Sequence, residues 1–128
     1  METTGLDHVI LTIGDVARSR PFYADVLGFE VTDFAEEDGP GFSFTAGGTT
    51  YYLIPSRTPI PDDRFSEFRI GLDHLSFVAP NEAALHALAD RLRAAGADTQ
   101  GVEQYAPSGN WYVAFRDPDN IQWEYWLP

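Results

Sequence analysis

Apolar residues run through Val9-Ile10-Leu11-Thr12-Ile13 and again through Leu75-Ser76-Phe77-Val78, two short stretches rich in strand-favouring side chains. Each predicts a β-strand, and each is followed by a helical pattern. Asp15 is placed to cap a helix running to about Leu27, and Asn81 one running to about Ala95, with Gly28 and Gly96 as their stops. In the second helix Leu85, Leu88 and Leu92 recur at helical spacing, while Glu82, His86, Asp90 and Arg93 fall on the polar side, so this helix is expected to lie on a sheet with His86 in solvent. Phe22, Tyr23, Val26 and Leu27 give the first helix an apolar face. Pro21 lacks an N–H and predicts a kink or a delayed start there. Strands are predicted again from Gly41 to Ile54 around Gly47-Gly48, and from Trp111 to Leu127 around Asp117-Pro118-Asp119-Asn120. The stretch 55–70 holds three prolines and reads as a linker with one short helical turn near Arg64. The charge runs Glu36-Glu37-Asp38 and Asp62-Asp63-Arg64 read as solvated loops.

The two halves share more than this order of elements. Gly5-Leu6-Asp7-His8 recurs as Gly71-Leu72-Asp73-His74 at the head of each first strand. Four matching residues at one offset arise by chance on occasion, but here the helix, the glycine stop and the turn-plus-strand recur behind them. The organisation expected is one domain over 1–128 made of two modules, about 5–54 and 71–127, joined by the linker 55–70.

At 128 residues the chain is long enough to bury a core without staples. Its formal net charge is −12, and all of its basic residues are Arg. Nucleic acid requires a basic stripe to release counterions, and anionic membranes a polybasic segment, so both partner classes are excluded in favour of a small molecule. The absence of cysteine rules out thiolate zinc sites and a cysteine nucleophile, leaving nitrogen and oxygen ligands. No charged and apolar leader opens the sequence and no apolar run approaches bilayer length, so a cytoplasmic protein is expected.

Histidine taken singly is more often a structural residue than a ligand. His8 and His74, however, hold equivalent places in two modules, and packing the modules about a pseudo-twofold axis would bring their imidazoles together. The last strand, Gln122-Trp123-Glu124-Tyr125-Trp126, offers a carboxylate that shares a face with Gln122 and Trp126, opposite Trp123 and Tyr125. An acid held there requires a partner, because an unpaired buried carboxylate is costly. Two imidazoles and one carboxylate form the facial triad of open divalent sites, with a formal charge of +1 once the cation is bound. That charge suits an anionic chelating substrate, whose developing oxygen charge the metal stabilises as Lewis acid. The aromatic residues Trp111, Trp123 and Trp126 suit either core or interface burial or the stacking of an aromatic ligand, and Arg69 and Arg116 suit either surface ion pairs or an anionic substrate.

The segment Asp15, Ala17-Arg18-Ser19, Phe22-Tyr23, Val26-Leu27-Gly28-Phe29 resembles the first-helix signature of the vicinal oxygen chelate superfamily, which groups glyoxalases, bleomycin-resistance proteins and extradiol dioxygenases. Phe115-Arg116-Asp117-Pro118-Asp119-Asn120 followed by Glu124 resembles its final turn and strand, so the likeness spans nearly the whole chain. The resemblance implies an α+β fold in which two βαβββ modules form a cupped, partly open β-barrel of the glyoxalase/bleomycin resistance/dihydroxybiphenyl dioxygenase type. It implies a divalent metal (Fe, Mn, Zn or Ni) held by His8, His74 and Glu124, and a homodimer with sites at the module interface, built either from the modules of one chain or from modules that two chains share. Members similar to glyoxalase I carry a fourth ligand, Glu or Gln, at the first-module equivalent of Glu124. Sliding Gly48 onto Asn120 places Tyr52 there, where a phenol, ordinarily titrating near 10, is expected to donate a hydrogen bond in the pocket more readily than to bind metal. The functional expectation is a metal-dependent enzyme acting on a small anionic or enolisable substrate by isomerase, lyase or dioxygenase chemistry, with Glu124 and Tyr52 as its catalytic groups. The alternative is a binding protein that sequesters an aromatic drug or natural product without turnover.

Overall fold

The computed structural model describes residues 1–36 and 39–128. Glu37 and Asp38, in the first of the two charge runs, lie outside the described residues. The chain divides into two compact units, Met1–Asp63 and Arg64–Pro128.

The first unit runs β1 (His8–Ile13), α1 (Val16–Pro21), β2 (Thr32–Glu36), β3 (Gly39–Ala46) and β4 (Thr49–Pro55), with sheet order β1-β4-β3-β2. β1 pairs with β4 in parallel and the remaining pairs are antiparallel. Asp15 caps α1 by accepting from the Ala17 N–H at 2.9 Å. Pro21 does not end the helix. The chain passes through it into a π-helical turn, Phe22–Val26, in which the Leu27 N–H reaches back five residues to the Phe22 carbonyl at 2.9 Å. The wider turn seats a proline in mid-helix, where its ring crowds the carbonyl four residues back. Phe22 and Tyr23 then point into the core with Leu11, Ile13, Phe42, Phe44, Tyr51 and Leu53. The Phe44 ring stacks on both Tyr51 (5.0 Å) and Phe29 (4.1 Å), contacts worth about 0.5–1.5 kcal/mol each beyond their area. Gly47 and Gly48 form the β3–β4 turn at φ 57 and 81, a left-handed pair that glycine adopts without strain.

The second unit repeats the order: β5 (Leu75–Val78), α2 (Glu82–Ala94), β6 (Thr99–Gln104), β7 (Trp111–Arg116) and β8 (Gln122–Leu127), with sheet order β5-β8-β7-β6. Asn81 caps α2 through the Ala84 N–H, and Leu85, Leu88, Ala89 and Leu92 are buried against the sheet face that carries Val113, Phe115 and Trp123. Phe77 stacks flat on Trp123 at 5.0 Å. At the β7–β8 turn the buried Asp117 carboxylate accepts from the Asp119 and Ile121 N–H groups at 2.9 and 2.8 Å, and Asn120 takes φ 69.

The α+β organisation as two βαβββ modules is the one expected. The sequence pattern gave no sign of β2 or of β6, polar strands whose apolar positions are too few to show a period. Near Arg64 the expected helical turn is absent. Residues 63–66 form no regular element, between turns closed by the Asp63 and Arg69 N–H groups on the Ile60 and Ser66 carbonyls, and Phe65 is tied to the β7–β8 turn: its N–H donates to the Asp119 carbonyl at 3.0 Å, and its carbonyl accepts from the Asn120 side chain at 2.9 Å. Among the described residues no helix is long and apolar enough to cross a membrane.

Candidate functional site

The duplicated tetrapeptide folds the same way twice. Gly5 and Gly71 take φ 147 and 144, values that side-chain-bearing residues rarely adopt. In both copies the aspartate turns back onto its own histidine: Asp7 Oδ1 lies 2.6 Å from His8 Nδ1, and Asp73 Oδ1 lies 2.6 Å from His74 Nδ1. Each histidine therefore has one ring nitrogen engaged and Nε2 directed away from that carboxylate.

In the second unit β5 is one of the two edge strands, and its parallel register with β8 sets Ser76 opposite Glu124. Strand alternation buries Trp123 in the core and turns Glu124 to the helix-free face, as expected. There Glu124 Oε2 lies 3.4 Å from His74 Nε2, with side chains 15% and 36% exposed. This is longer than the roughly 2.7–2.9 Å of a charge-assisted hydrogen bond. It matches two ligands of one cation, because donors about 2.1 Å from a metal and some 90–110° apart stand roughly 3.0–3.4 Å from each other. The donor types and their spacing thus fit a divalent metal.

The same face of the second sheet is aromatic beside the acid. Trp126 stacks on Tyr112 at 5.5 Å and meets the Tyr105 ring edge at 5.6 Å. Burial pushes the Tyr112 phenol up, and the nearby carboxylates of Glu103 and Glu124 add to the shift. Tyr112 therefore remains a proton donor into alkaline solution. Trp123 is core, whereas Trp111 is exposed.

In the first unit the register sets Ile10 opposite Tyr52. Ile10 and Ser76 each stand two residues after the histidine of their module, so Tyr52 occupies the place that Glu124 holds in the second sheet. Its ring meets His8 edge-on at 6.0 Å and Phe34 at 5.9 Å. His8 is about half exposed.

His74 and Glu124 are thus brought together in one unit, and His8 and Tyr52 in the other. Among the described residues no three His, Cys, Asp or Glu side chains gather as a cation site. His86 is exposed, 3.6 Å from Glu82. Arg116 is occupied by a two-pronged ion pair with Glu67, at 2.6 and 3.1 Å, and holds that carboxyl down to about 2, while Arg69 is exposed. Sequence reasoning overlooked Asp7 and Asp73, although both stand inside the repeated tetrapeptide.

Comparison with known proteins follows the same lines. The family model described as Glyoxalase/Bleomycin resistance protein/Dioxygenase superfamily matches residues 5–125. A glyoxylase/bleomycin resistance protein/dioxygenase domain from Frankia sp. EAN1pec is 31% identical, with a TM-score of 0.86 over 98% of each chain. A lactoylglutathione lyase from Agrobacterium tumefaciens is 21% identical, with a TM-score of 0.71 over 99% of this chain and 96% of that one. The oxidase ChaP-H2 is 22% identical, with a TM-score of 0.68 over 99% and 95%. At these last two identities the likeness is one of fold. No curated protein matches the chain.

Proposed function

Since the chain belongs to the glyoxalase/bleomycin resistance protein/dioxygenase superfamily, we propose that it is a metal-dependent enzyme that binds two adjacent oxygens of a small anionic or enolisable substrate. The observation that carries this reading is the 3.4 Å separation of His74 Nε2 and Glu124 Oε2, with Nδ1 of the imidazole engaged by Asp73. A His8 side chain, presented by Asp7 in the same manner, would be the third protein ligand. A divalent cation (Fe, Mn, Zn or Ni) would supply Lewis-acid stabilisation of charge developing on the substrate oxygens. Two neutral imidazoles and one carboxylate leave a formal charge of +1, which favours an anion. Glu124 would balance part of that charge as a ligand, and its carboxylate would be the group placed to accept the acidic C–H or O–H proton of an enolisable substrate. Tyr52 donates a hydrogen bond from its phenol rather than adding a second negative charge.

A second reading has its own support. Tyr52 in place of a fourth ligand, and the Tyr105, Tyr112 and Trp126 rings on the face of Glu124, suit a protein that sequesters an aromatic molecule without turnover. Metal-stripped protein reconstituted with each of the four cations, and offered enolisable hydroxycarbonyl compounds and catechols with product and oxygen uptake followed, separates the two. Metal-dependent product formation that Glu124→Ala abolishes supports the enzyme. Tight binding of an aromatic drug to metal-free protein, with no product under any cation, overturns it.

A further inference from the structure

Asp7 and Asp73 have no role in the ligand set, and both are largely exposed, yet each makes the same 2.6 Å contact with the histidine that follows it. Neighbouring side chains on a regular strand point to opposite faces. Asp7 and Asp73 each sit just ahead of the strand, two residues after a glycine at φ 147 or 144. One such contact would be an ordinary surface ion pair. Two, at equivalent places 66 residues apart, built on equivalent glycines and each aimed at Nδ1, do the same thing twice to the only histidines that face a candidate site.

We infer that Asp7 and Asp73 are positioning residues that hold the proton of His8 and His74 on Nδ1 and so present an unprotonated Nε2 lone pair to the cation. This rests on the ligand assignment proposed above and deepens it. A neutral imidazole carries its proton on one nitrogen only, and a carboxylate beside Nδ1 draws that proton to itself; at His74 the 2.6 Å contact of Asp73 with Nδ1 is set against a longer, 3.4 Å approach of Glu124 to Nε2. Without it, an exposed ring places the proton on Nε2 for much of the time, and metal binding must first move it. A partner outside the ligand shell that fixes ring tautomer and orientation commonly contributes 10- to 100-fold in metal affinity.

The test uses full-length metal-free protein with 15N-labelled histidine, at a pH where the rings are neutral, together with calorimetric titration of Ni2+ alone. In the wild type the His8 and His74 resonances are expected to report the Nδ1–H form. Asp73→Ala should move His74 toward the Nε2–H form and weaken Ni2+ binding roughly 10- to 100-fold, and Asp7→Ala should do the same for His8. Asp73→Asn, which keeps an acceptor oxygen, should restore much of the Nδ1–H population, and Asp90→Ala controls for the loss of one negative charge. A wild-type protein already in the Nε2–H form, or an Asp73→Ala protein whose tautomer and affinity are both unchanged, overturns the inference. Ni2+ binding that survives undiminished in His74→Ala removes the ligand assignment, and the positioning role with it, whatever the tautomer.

Discussion

Tyr52 stands in the first sheet where Glu124 stands in the second, opposite the residue two places beyond the histidine of its module. The duplicated modules therefore present unlike chemistry: a histidine with a carboxylate in one, a histidine with a phenol in the other. If the phenol is a hydrogen-bond donor and the carboxylate a ligand, the two substitutions separate cleanly. Glu124→Ala is expected to lower divalent-metal affinity by at least about 100-fold, whereas Tyr52→Phe should leave it within roughly threefold and reduce turnover instead. Metal titration of both variants measures this, and a comparable loss of affinity in Tyr52→Phe would make Tyr52 a ligand.

The ion pair between Glu67 and Arg116 gives a pH dependence of known sign. The Glu67 carboxyl is held at about 2 against an ordinary 4.5, chiefly by the hydrogen bonds from Arg116. A depressed carboxyl contributes stability that is whole above about pH 4.5 and disappears as pH falls through about 2. The urea midpoint of Glu67→Gln should lie below that of the wild type at pH 6, and the two should converge toward pH 2. A gap that persists at pH 2 would assign the difference to packing.

Gly41 sits on the helix-free face of β3, where an added Cβ would lie 2.6 Å from the Leu53 carbonyl and 2.7 Å from the Phe34 ring. The carbonyl belongs to the sheet backbone and cannot yield cheaply. Gly41→Ala should therefore destabilise the protein by about 1–3 kcal/mol in denaturant unfolding, and a neutral result would show that β3 and β4 can part.

Asn81 caps the opening turn of α2, its side chain accepting from the Ala84 N–H at 2.9 Å. Asn81→Ala should cost about 1 kcal/mol, whereas His86→Ala, on the exposed side of the same helix, should change stability by less than about 0.5 kcal/mol. Equal effects would mean that the cap does not limit the helix.

How much of this could be read from residues alone depended on whether a signal was local. Leu85, Leu88 and Leu92 announce α2 because helical period and burial coincide there, and Gly47-Gly48 announces its hairpin because few other pairs tolerate two positive φ values. The facing of Glu124 away from Trp123 follows from strand alternation alone. β2 and β6 were illegible because their residues serve pairing rather than the core. The irregular chain around Phe65 was not legible because its hydrogen-bond partners, in the β7–β8 turn, lie more than fifty residues away in sequence. The two aspartates were in plain view in the repeat. Their contact with Nδ1 is a matter of side-chain geometry that residue type alone does not reveal.

X-ray absorption spectroscopy of the Ni2+- or Zn2+-loaded protein counts the imidazoles bound to the metal, and so tests the ligand set of His8, His74 and Glu124 directly. Two imidazoles per metal are expected in the wild type, with one in His8→Ala and one in His74→Ala. A spectrum that still shows two imidazoles in His8→Ala, or none in the wild type, would contradict it.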